Sequence, residues 1–408
     1  MRTRSILGGS KAVVLAVLAL GLAACTAAAE QPEIEGEIWV ANPASDDVRV
    51  YDGTTFERLA TISLPGQTPY GLEVHPGGGE VWVVNIEGNS VWVVDTQTRE
   101  IVAKIEGDDV VEAPVNLRFS EDGSHGYLVG GEGFLTVIDT TSYEVTHQEI
   151  AGFGPHGLWQ LPDGTLRTAN RTSDDVSILQ PDGAQVTFVD NFPAAPTSYD
   201  VVAPEDASVL YVSSRGWHAV TVLRTEDHSI LGAIPVGEDP AILGIAAAEN
   251  RLFVANTGDS TVSMIDLATF EQLGADNRRI GDVVAVGDQV GSCDGCVEPV
   301  VDRWEDQPVS GEVVSITSEG VVLRGGGEVF AVPQNVLLGL PGGLAPHGIE
   351  VTEDGRYVLV TFTASDDVFV YEAATGRQVA WLHGCEEEPA ADEPGCNPGA
   401  NDVAIVPR

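Results

Sequence analysis

The chain has 408 residues, and its charge is strongly acidic: 62 Asp and Glu residues outnumber 20 Lys and Arg residues, which gives a formal net charge of −42. Such a surface repels nucleic acids and anionic lipid headgroups, so we expect neither as a partner. A solvated acidic surface suited to salt accounts for this composition, while cations and basic proteins remain open as partners.

The first residues predict an export signal. Arg2, Arg4 and Lys11 precede an apolar stretch at 12–22, which is too short for a comfortable membrane span. The following Leu-Ala-Ala-Cys25 resembles the lipobox of bacterial lipoproteins and implies lipid attachment at Cys25. The alternative is an ordinary secretory signal. We therefore expect a signal peptide at 1–24, a lipidated tether at 25–36 and an extracytoplasmic, membrane-anchored protein, either periplasmic or on the cell surface.

A short strand pattern then recurs seven times. The clearest copies are Val48-Arg-Val-Tyr-Asp52, Val91-Trp-Val-Val-Asp95, Leu135-Thr-Val-Ile-Asp139 and Val262-Ser-Met-Ile-Asp266; weaker copies begin at residues 176, 220 and 368. Apart from one long gap after the sixth copy, they are about 41 to 44 residues apart, the period of a four-stranded propeller blade. An earlier apolar run and a turn precede each copy, as in a β-hairpin. The pattern predicts an all-β, seven-bladed β-propeller over 37–408.

A proline-led segment follows most hairpins and predicts the innermost strand of the next blade. Pro69-Tyr-Gly71, Pro155-His-Gly157 and Pro346-His-Gly348 show its small residue, which suits the crowded propeller axis. The chain starts its first hairpin without such a strand and ends with one, at 398–405. We therefore predict that the two termini pair and complete blade one, which removes an open sheet edge.

The hairpin motifs Trp39-Val-Ala-Asn42 and Phe253-Val-Ala-Asn256 resemble those of the YVTN-repeat propellers, which are related to the propellers of quinoprotein amine dehydrogenases. The resemblance covers roughly 37–282 and 341–408 and implies a seven-bladed extracytoplasmic fold. It implies no catalytic residue, because the shared motif is a packing motif.

One interruption separates blades six and seven. Residues 283–340 contain three short β runs parted by glycine-rich turns, which predict a small β insertion. Long loops on a regular scaffold often carry function, although a decorative insertion remains the alternative.

Five cysteines fit the predicted compartment. Cys25 takes the lipid, and the other four, in an oxidising environment, are expected to form two disulfides. Among the three connectivities we favour local pairs, Cys293 with Cys296 and Cys385 with Cys396. A redox pair at 293–296 and a four-thiolate zinc site are the alternatives.

Histidines mark the candidate site. His156 and His347 occupy twin Pro-His-Gly segments in the fourth and seventh blades, so we expect both to face one mouth of the channel. Two imidazoles there could bind a metal or an anion, or could simply bond neighbouring carbonyls. Comparable inner-strand positions predict a polar rim completed by Asn116, Tyr199, Asp200 and Asn401. We predict no cofactor. Three Ser-Asp-Asp turns, at 45–47, 173–175 and 365–367, leave binding of a divalent metal as an alternative.

Three function classes remain. The preferred one is a monomeric, lipid-anchored binding or scaffolding propeller without enzymatic activity, whose partner is an envelope protein or a small ligand. The first alternative is a hydrolase that resembles the seven-bladed lactonases and uses the channel mouth. The second is a propeller subunit associated with an oxidoreductase.

Overall fold

A computed structural model describes residues 32–107, 110–131, 133–267, 345–383 and 399–407, together with the backbone of three strands between 312 and 333. Antiparallel sheets form a ring of seven blades, and the described helical content is a single 3-10 turn at Ala247–Glu249. The prediction of an all-β seven-bladed propeller is confirmed.

The blades follow each other in chain order, and their strands are numbered in the same order. Blades one to three contain β1 (Glu37–Asn42), β2 (Asp47–Asp52), β3 (Arg58–Ser63), β4 (Pro69–Val74), β5 (Glu80–Asn85), β6 (Ser90–Asp95), β7 (Ile101–Glu106), β8 (Pro114–Phe119), β9 (His125–Gly130), β10 (Phe134–Asp139) and β11 (Val145–Ile150). Blades four to six contain β12 (Pro155–Gln160), β13 (Leu166–Asn170), β14 (Asp175–Asp182), β15 (Gln185–Pro193), β16 (Ser198–Val202), β17 (Val209–Ser214), β18 (Ala219–Arg224), β19 (Ile230–Pro235), β20 (Pro240–Ala246), β21 (Arg251–Asn256) and β22 (Thr261–Asp266). The remaining strands are β23 (Glu312–Thr317), β24 (Gly320–Gly325), β25 (Glu328–Pro333), β26 (Pro346–Val351), β27 (Tyr357–Phe362), β28 (Asp367–Glu372), β29 (Gln378–His383) and β30 (Asp402–Val406).

The innermost strands form a closed ring around the axis. Contacts run from β30 to β4, β8, β12, β16, β20 and β26 and back to β30. These are the proline-led segments of the sequence. In blades two to five and in blade seven the inner strand comes first, and the two middle strands and the outer strand follow. Blade six has three described strands in the same order, and in blade one β30 comes after β1, β2 and β3 in the chain. The side chains at the start of these seven strands are therefore brought together at one mouth of the channel.

The middle strands carry the core because they are covered on both faces by neighbouring blades. In β5 and β6 almost every residue is buried, which explains their nearly continuous apolar sequence. The outer strand β11 alternates between half-buried and exposed positions, as expected for a strand with one solvated face. Between blades two and three, Trp82 packs edge-on against Phe119 with ring centroids 5.2 Å apart.

Aspartates that recur in the sequence hold turns. At the end of the repeat motif, Asp52, Asp95 and Asp139 each accept two backbone N–H groups from the following turn. In the Ser-Asp-Asp turns, Asp46 accepts N–H groups from the segment leading into β4, and Asp174 does the same for β16. Backbone hydrogen bonding therefore accounts for these acidic repeats.

The two termini meet in blade one, as predicted. Strand β1 pairs antiparallel with β30, and Trp39 lies opposite Ala404. On the outer side of this seam, Arg49 and Asp366 form a buried ion pair of 2.7 Å between blades one and seven. Removing either partner would leave an uncompensated buried charge, so we expect a substitution at Arg49 or Asp366 alone to weaken this join.

A separate three-stranded sheet, β23–β24–β25, lies in the chain between blades six and seven and confirms the predicted β insertion. The five cysteines and the predicted signal peptide lie outside the described residues, so lipidation and disulfide pairing stay predictions. Within the described ranges, no helix has both the length and the apolar character needed to cross a membrane.

Ring closure by β30 predicts a large effect of removing it. A chain that ends at residue 398 loses the strand that covers β1, and we expect its melting temperature to fall by about 10 °C or more, or its cooperative transition to disappear. A chain that ends at Val406 retains β30 and serves as the control. Equal melting temperatures for the two truncated chains would show that the ring does not depend on this pairing.

Candidate functional site

Irregular strand pairing at the start of four inner strands directs two tyrosine and two histidine side chains to the channel mouth. The register between inner and second strands shifts directly after Pro69, Pro155, Ser198 and Pro346. A bulge of this kind re-aims the next side chain. The residues that follow these four positions, which we name the mouth cluster, are Tyr70, His156, Tyr199 and His347.

The Tyr70 hydroxyl is the centre of the mouth cluster. It lies 3.2 Å from His156 Nε2, 3.0 Å from His347 Nε2 and 3.2 Å from the Tyr199 hydroxyl. The two imidazole centroids are 6.3 Å apart, and the His156 ring packs on the Tyr199 ring at 3.8 Å. Tyr70 is half-buried and the other three are buried. Side chains from four blades thus touch across the axis and fill this end of the channel.

Burial keeps Tyr70 and the two histidines of the mouth cluster neutral. It raises the pKa of Tyr70 well above its ordinary value and lowers the pKa of His156 well below. Burial also lowers the pKa of His347 to about 4, and nearby Arg215 acts in the same direction. At neutral pH the cluster therefore holds two uncharged imidazoles and an intact Tyr70 phenol.

One arrangement of protons satisfies the central contacts. His347 Nδ1 faces the carbonyl oxygen of Asn401 at 3.3 Å, so the neutral ring carries its proton there and Nε2 accepts. The Tyr70 hydroxyl then donates to His347 Nε2 and accepts from His156 Nε2 and from the Tyr199 hydroxyl. In this arrangement His156 Nδ1 is an acceptor, and it is buried without a hydrogen-bond partner in the described part of the chain.

The glycines in the two Pro-His-Gly segments make room for aspartates of the next blade. A Cβ on Gly157 would lie 2.6 Å from Asp200 Oδ1, and one on Gly348 would lie 2.8 Å from Asp402 Oδ1. Each carboxylate in turn accepts a backbone N–H from the blade beyond it, Leu243 for Asp200 at 2.9 Å and Leu72 for Asp402 at 2.8 Å. The recurrence of Pro-His-Gly therefore has a structural cause: these aspartates link successive inner strands.

Beneath the mouth cluster the channel keeps a polar cavity of about 70 Å³. Its lower wall carries Glu73, Glu350 and Arg118, and Arg118 forms an ion pair with Glu73. Burial raises the pKa of Asp200 to about 6, of Asp402 to about 7 and of Glu350 to about 8. Near neutral pH Glu350 and part of the Asp402 population are therefore protonated, so this part of the channel does not carry a full set of negative charges.

Two arginines border the mouth cluster. The Arg215 guanidinium lies 3.6 Å from the centroid of the Tyr199 ring. Arg171 directly follows β13, and both arginines lie close enough to oppose protonation of His156. Because His156 packs on Tyr199 at a similar distance, we infer that Arg215 covers the opposite face of that ring.

The residues predicted for the polar rim divide between two layers. Tyr199 belongs to the mouth cluster, and Asn401 borders it by donating from Nδ2 to the Tyr70 carbonyl at 2.7 Å. Asn116 and Asp200 line the cavity below. Their role in ligand binding stays a prediction.

Sequence reasoning missed Tyr70, although Pro69-Tyr-Gly71 has the same form as the histidine segments. It also missed Asp402 and the two arginines. A position-by-position alignment of the repeats would have shown Asp200 and Asp402 as equivalents, and Arg171 and Arg215 at one offset after the second strand.

Among the described residues, no group of three or more His, Cys, Asp or Glu side chains is arranged to hold a metal ion. The carboxylates nearest the mouth cluster accept backbone N–H groups instead. Whether a divalent metal or any cofactor binds stays a prediction.

No family model matches the chain. A curated relative, the uncharacterised protein YwhL of Bacillus subtilis strain 168, is 25% identical over 225 residues, which is 52% of this chain. The match spans less than half, 44%, of that relative's length.

Solved structures resemble the whole ring. A functionally unknown protein from Desulfotomaculum acetoxidans has a TM-score of 0.62 at 12% identity, and the match covers 91% of this chain and 99% of that one. Hydrazine synthase from Kuenenia stuttgartiensis scores 0.59 at 18% identity and covers 85% and 97%. A putative 6-phosphogluconolactonase from Bacteroides fragilis scores 0.59 at 13% identity and covers 92% and 98%. At these identities the likeness shows the propeller fold alone.

The raised pKa of Glu350 predicts a pH-dependent effect of neutralising it. The folded chain must ionise Glu350 near Glu73 and Asp402 above about pH 8, and Arg118 offsets only part of the cost, whereas the unfolded chain ionises it freely from about pH 4.5 upward. Because burial raises the folded pKa, stability falls as the pH rises from about 4.5 to about 8, stays at the lower level above pH 8, and is recovered as the pH falls back through this window. We expect Glu350→Gln to melt above the wild type at pH 9 and close to it at pH 5.

Exposed Glu353, on the turn that follows the same strand, provides the matched control, and Glu353→Gln is expected to melt like the wild type at both pH values. A Glu350→Gln protein with no stability gain at pH 9 would contradict the assignment of a costly buried charge.

Proposed function

We propose that this chain is a lipid-anchored, extracytoplasmic binding propeller that recognises a small ligand or an envelope protein at the mouth cluster and leaves it chemically unchanged. The observation that carries the proposal is the set of hydrogen bonds from the Tyr70 hydroxyl, which we call the Tyr70 hub. It joins the side chains of Tyr70, His156, Tyr199 and His347, from four blades, into one hydrogen-bonded surface. Such a preformed surface, bordered by arginine and tyrosine, has the composition of a recognition site.

The bonding of the potential catalytic groups favours binding over hydrolysis. General acid–base catalysis needs a group that exchanges a proton near the working pH. The imidazoles of His156 and His347 have pKa values far below neutrality. The carboxylates of Asp200 and Asp402, one layer deeper, are occupied by backbone N–H groups of the neighbouring blades. These groups support the wall of the site.

The location rests on the sequence at 1–36. A lipidated Cys25 followed by a short tether would place the propeller beside the membrane while its acidic surface keeps it away from the headgroups.

Anchoring through Cys25 predicts a change of fraction when that residue is replaced. In a bacterial host the full chain is expected in the membrane fraction, with the mature protein carrying a lipid mass at its first residue. Cys25→Ser is expected in the soluble extracytoplasmic fraction or as unprocessed precursor. A full chain that is soluble, exported and unmodified would contradict the lipid anchor without bearing on the mouth cluster.

Recognition at the mouth cluster is tested by scanning a small-molecule library for compounds that raise the melting temperature. Compounds that stabilise the wild type are expected to lose most of that effect in Tyr70→Phe and His347→Asn, because both changes disrupt the hub. Tyr357→Phe removes a tyrosine hydroxyl from the other end of a blade, where it accepts from Arg356, and is the matched control.

Mass spectrometry of the compounds after incubation separates binding from catalysis. Recovery of unchanged ligand is the expected result. Hydrolysis of a lactone by the wild type and its loss in His156→Ala would replace the binding proposal with the hydrolase alternative. Stabilising compounds whose effect survives both mouth variants would show that the ligand binds elsewhere.

A further inference from the structure

Arg171 and Arg215 occupy the same structural position in adjacent blades. Each follows the second strand of its blade and donates its backbone N–H to the segment before the inner strand, Arg171 to Gly154 O at 3.0 Å and Arg215 to Thr197 O at 3.2 Å. The equivalent positions in the other blades, which complete a ring around the mouth, are uncharged: Pro43, Ile86, Gly131, Thr257 and Thr363. At this structural position, positive charge therefore occurs in blades four and five alone.

These two arginines lack an acidic partner within the described residues, which is unusual in a chain with three acidic residues for every basic one. Most other described arginines form ion pairs with carboxylates, namely Arg49, Arg99, Arg118, Arg224, Arg251, Arg356 and Arg377. Arg167 does not, but its guanidinium is buried and donates to Thr165 and to a backbone carbonyl. Arg171 is exposed and Arg215 is half-buried, and the buried Nε of Arg215 has no hydrogen-bond partner among the described residues.

The surroundings favour a negative ligand. The side chains beside the two arginines, Tyr70 and His156, are neutral, so they do not repel an anion. Acidic side chains on this side of the mouth accept hydrogen bonds from the backbone: Asp174, in the turn after Arg171, accepts the N–H of Thr197, and Asp200, one layer deeper, accepts those of Val201 and Leu243. Guanidinium groups bind carboxylate and phosphate oxygens in a paired geometry, and Arg215 is held in place by the Tyr199 ring.

Two exposed aromatic residues lie near the arginines, one close in sequence and the other joined by a backbone hydrogen bond. Trp217 is 37% exposed and lies in the turn that begins with Arg215. Phe153 is 71% exposed, and its carbonyl accepts the N–H of Thr172, the residue after Arg171. Exposed aromatic rings beside unpaired arginines are the residue types that dominate binding energy at recognition sites.

We propose that blades four and five bind a small organic ligand through its carboxylate or phosphate group, held by Arg171 and Arg215, with Trp217 and Phe153 contacting its apolar part. The inference rests on the proposed function, since it names the ligand class recognised at the same mouth. Carboxylate and phosphate share the oxyanion chemistry, and the measurement below separates them.

The test is calorimetric titration of the full chain with benzoate, phenyl phosphate and the neutral analogue benzamide at low salt. Benzoate or phenyl phosphate is expected to bind at least about tenfold more tightly than benzamide, and the stronger of the two identifies the headgroup. Arg171→Gln and Arg215→Gln are each expected to weaken that anion about tenfold or more, because a hydrogen bond to a charged group is lost. Added salt should weaken wild-type binding in parallel.

Arg224→Gln is the matched control, because Arg224 lies at the end of β18 and is paired with Asp227. Arg171 is exposed, so its variant is expected to fold even if Arg215→Gln does not, and melting curves establish this. Benzamide binding as well as the anions, anion binding unaffected by Arg171→Gln, or no anion binding at all would each overturn the inference. In all three cases stabilising compounds that depend on Tyr70 would still uphold the proposed function.

Discussion

The closure of the ring by β1 and β30 is the constraint on which the rest of the structure depends. Among the described residues the first and last strands share one sheet and close the ring of seven blades, and the register of Trp39 opposite Ala404 fixes that join. Closure brings the starts of all inner strands to one mouth. The mouth cluster exists because strands that are far apart in the sequence, such as those beginning at Pro69 and Pro346, are held face to face there.

The same convergence sets the chemistry of the channel. The inner strands lie so close together that only glycine fits beside the aspartate of the next blade. Asp200 and Asp402 accept backbone N–H groups there and so link successive strands. Burial then keeps His156 and His347 uncharged. The two histidines and Tyr70 at the mouth are therefore uncharged. Arg171 and Arg215, which have no acidic partner among the described residues, give the side formed by blades four and five a positive character.

The fold could be predicted from the sequence because each blade repeats a local pattern: apolar runs buried on both faces, a turn, and an aspartate such as Asp95 that caps the next turn. The terminal seam followed from counting strands, since one inner strand was missing at the start and one was left over at the end. The site was less accessible. The two histidines were found because they lie in identical Pro-His-Gly triplets. Tyr70 was missed because the bulge after Pro69 places it beside the histidines in the folded chain, although its residue type differs from theirs. Ion pairing is a property of the folded chain, so the unpaired state of Arg171 and Arg215 could not be read from composition.

The central claim is that the ligand binds at the channel mouth on the side of blades four and five, where Arg171 and Arg215 replace the uncharged residues of the other blades. Anomalous diffraction from crystals of the chain soaked with 4-bromobenzoate tests it most directly, because bromine marks the ligand without assumption about its position. The account predicts a bromine peak beside Trp217 or Phe153, with the carboxylate between Arg171 and Arg215 above Tyr70. A well-occupied bromine site on another face of the propeller, with none at this mouth, would contradict it.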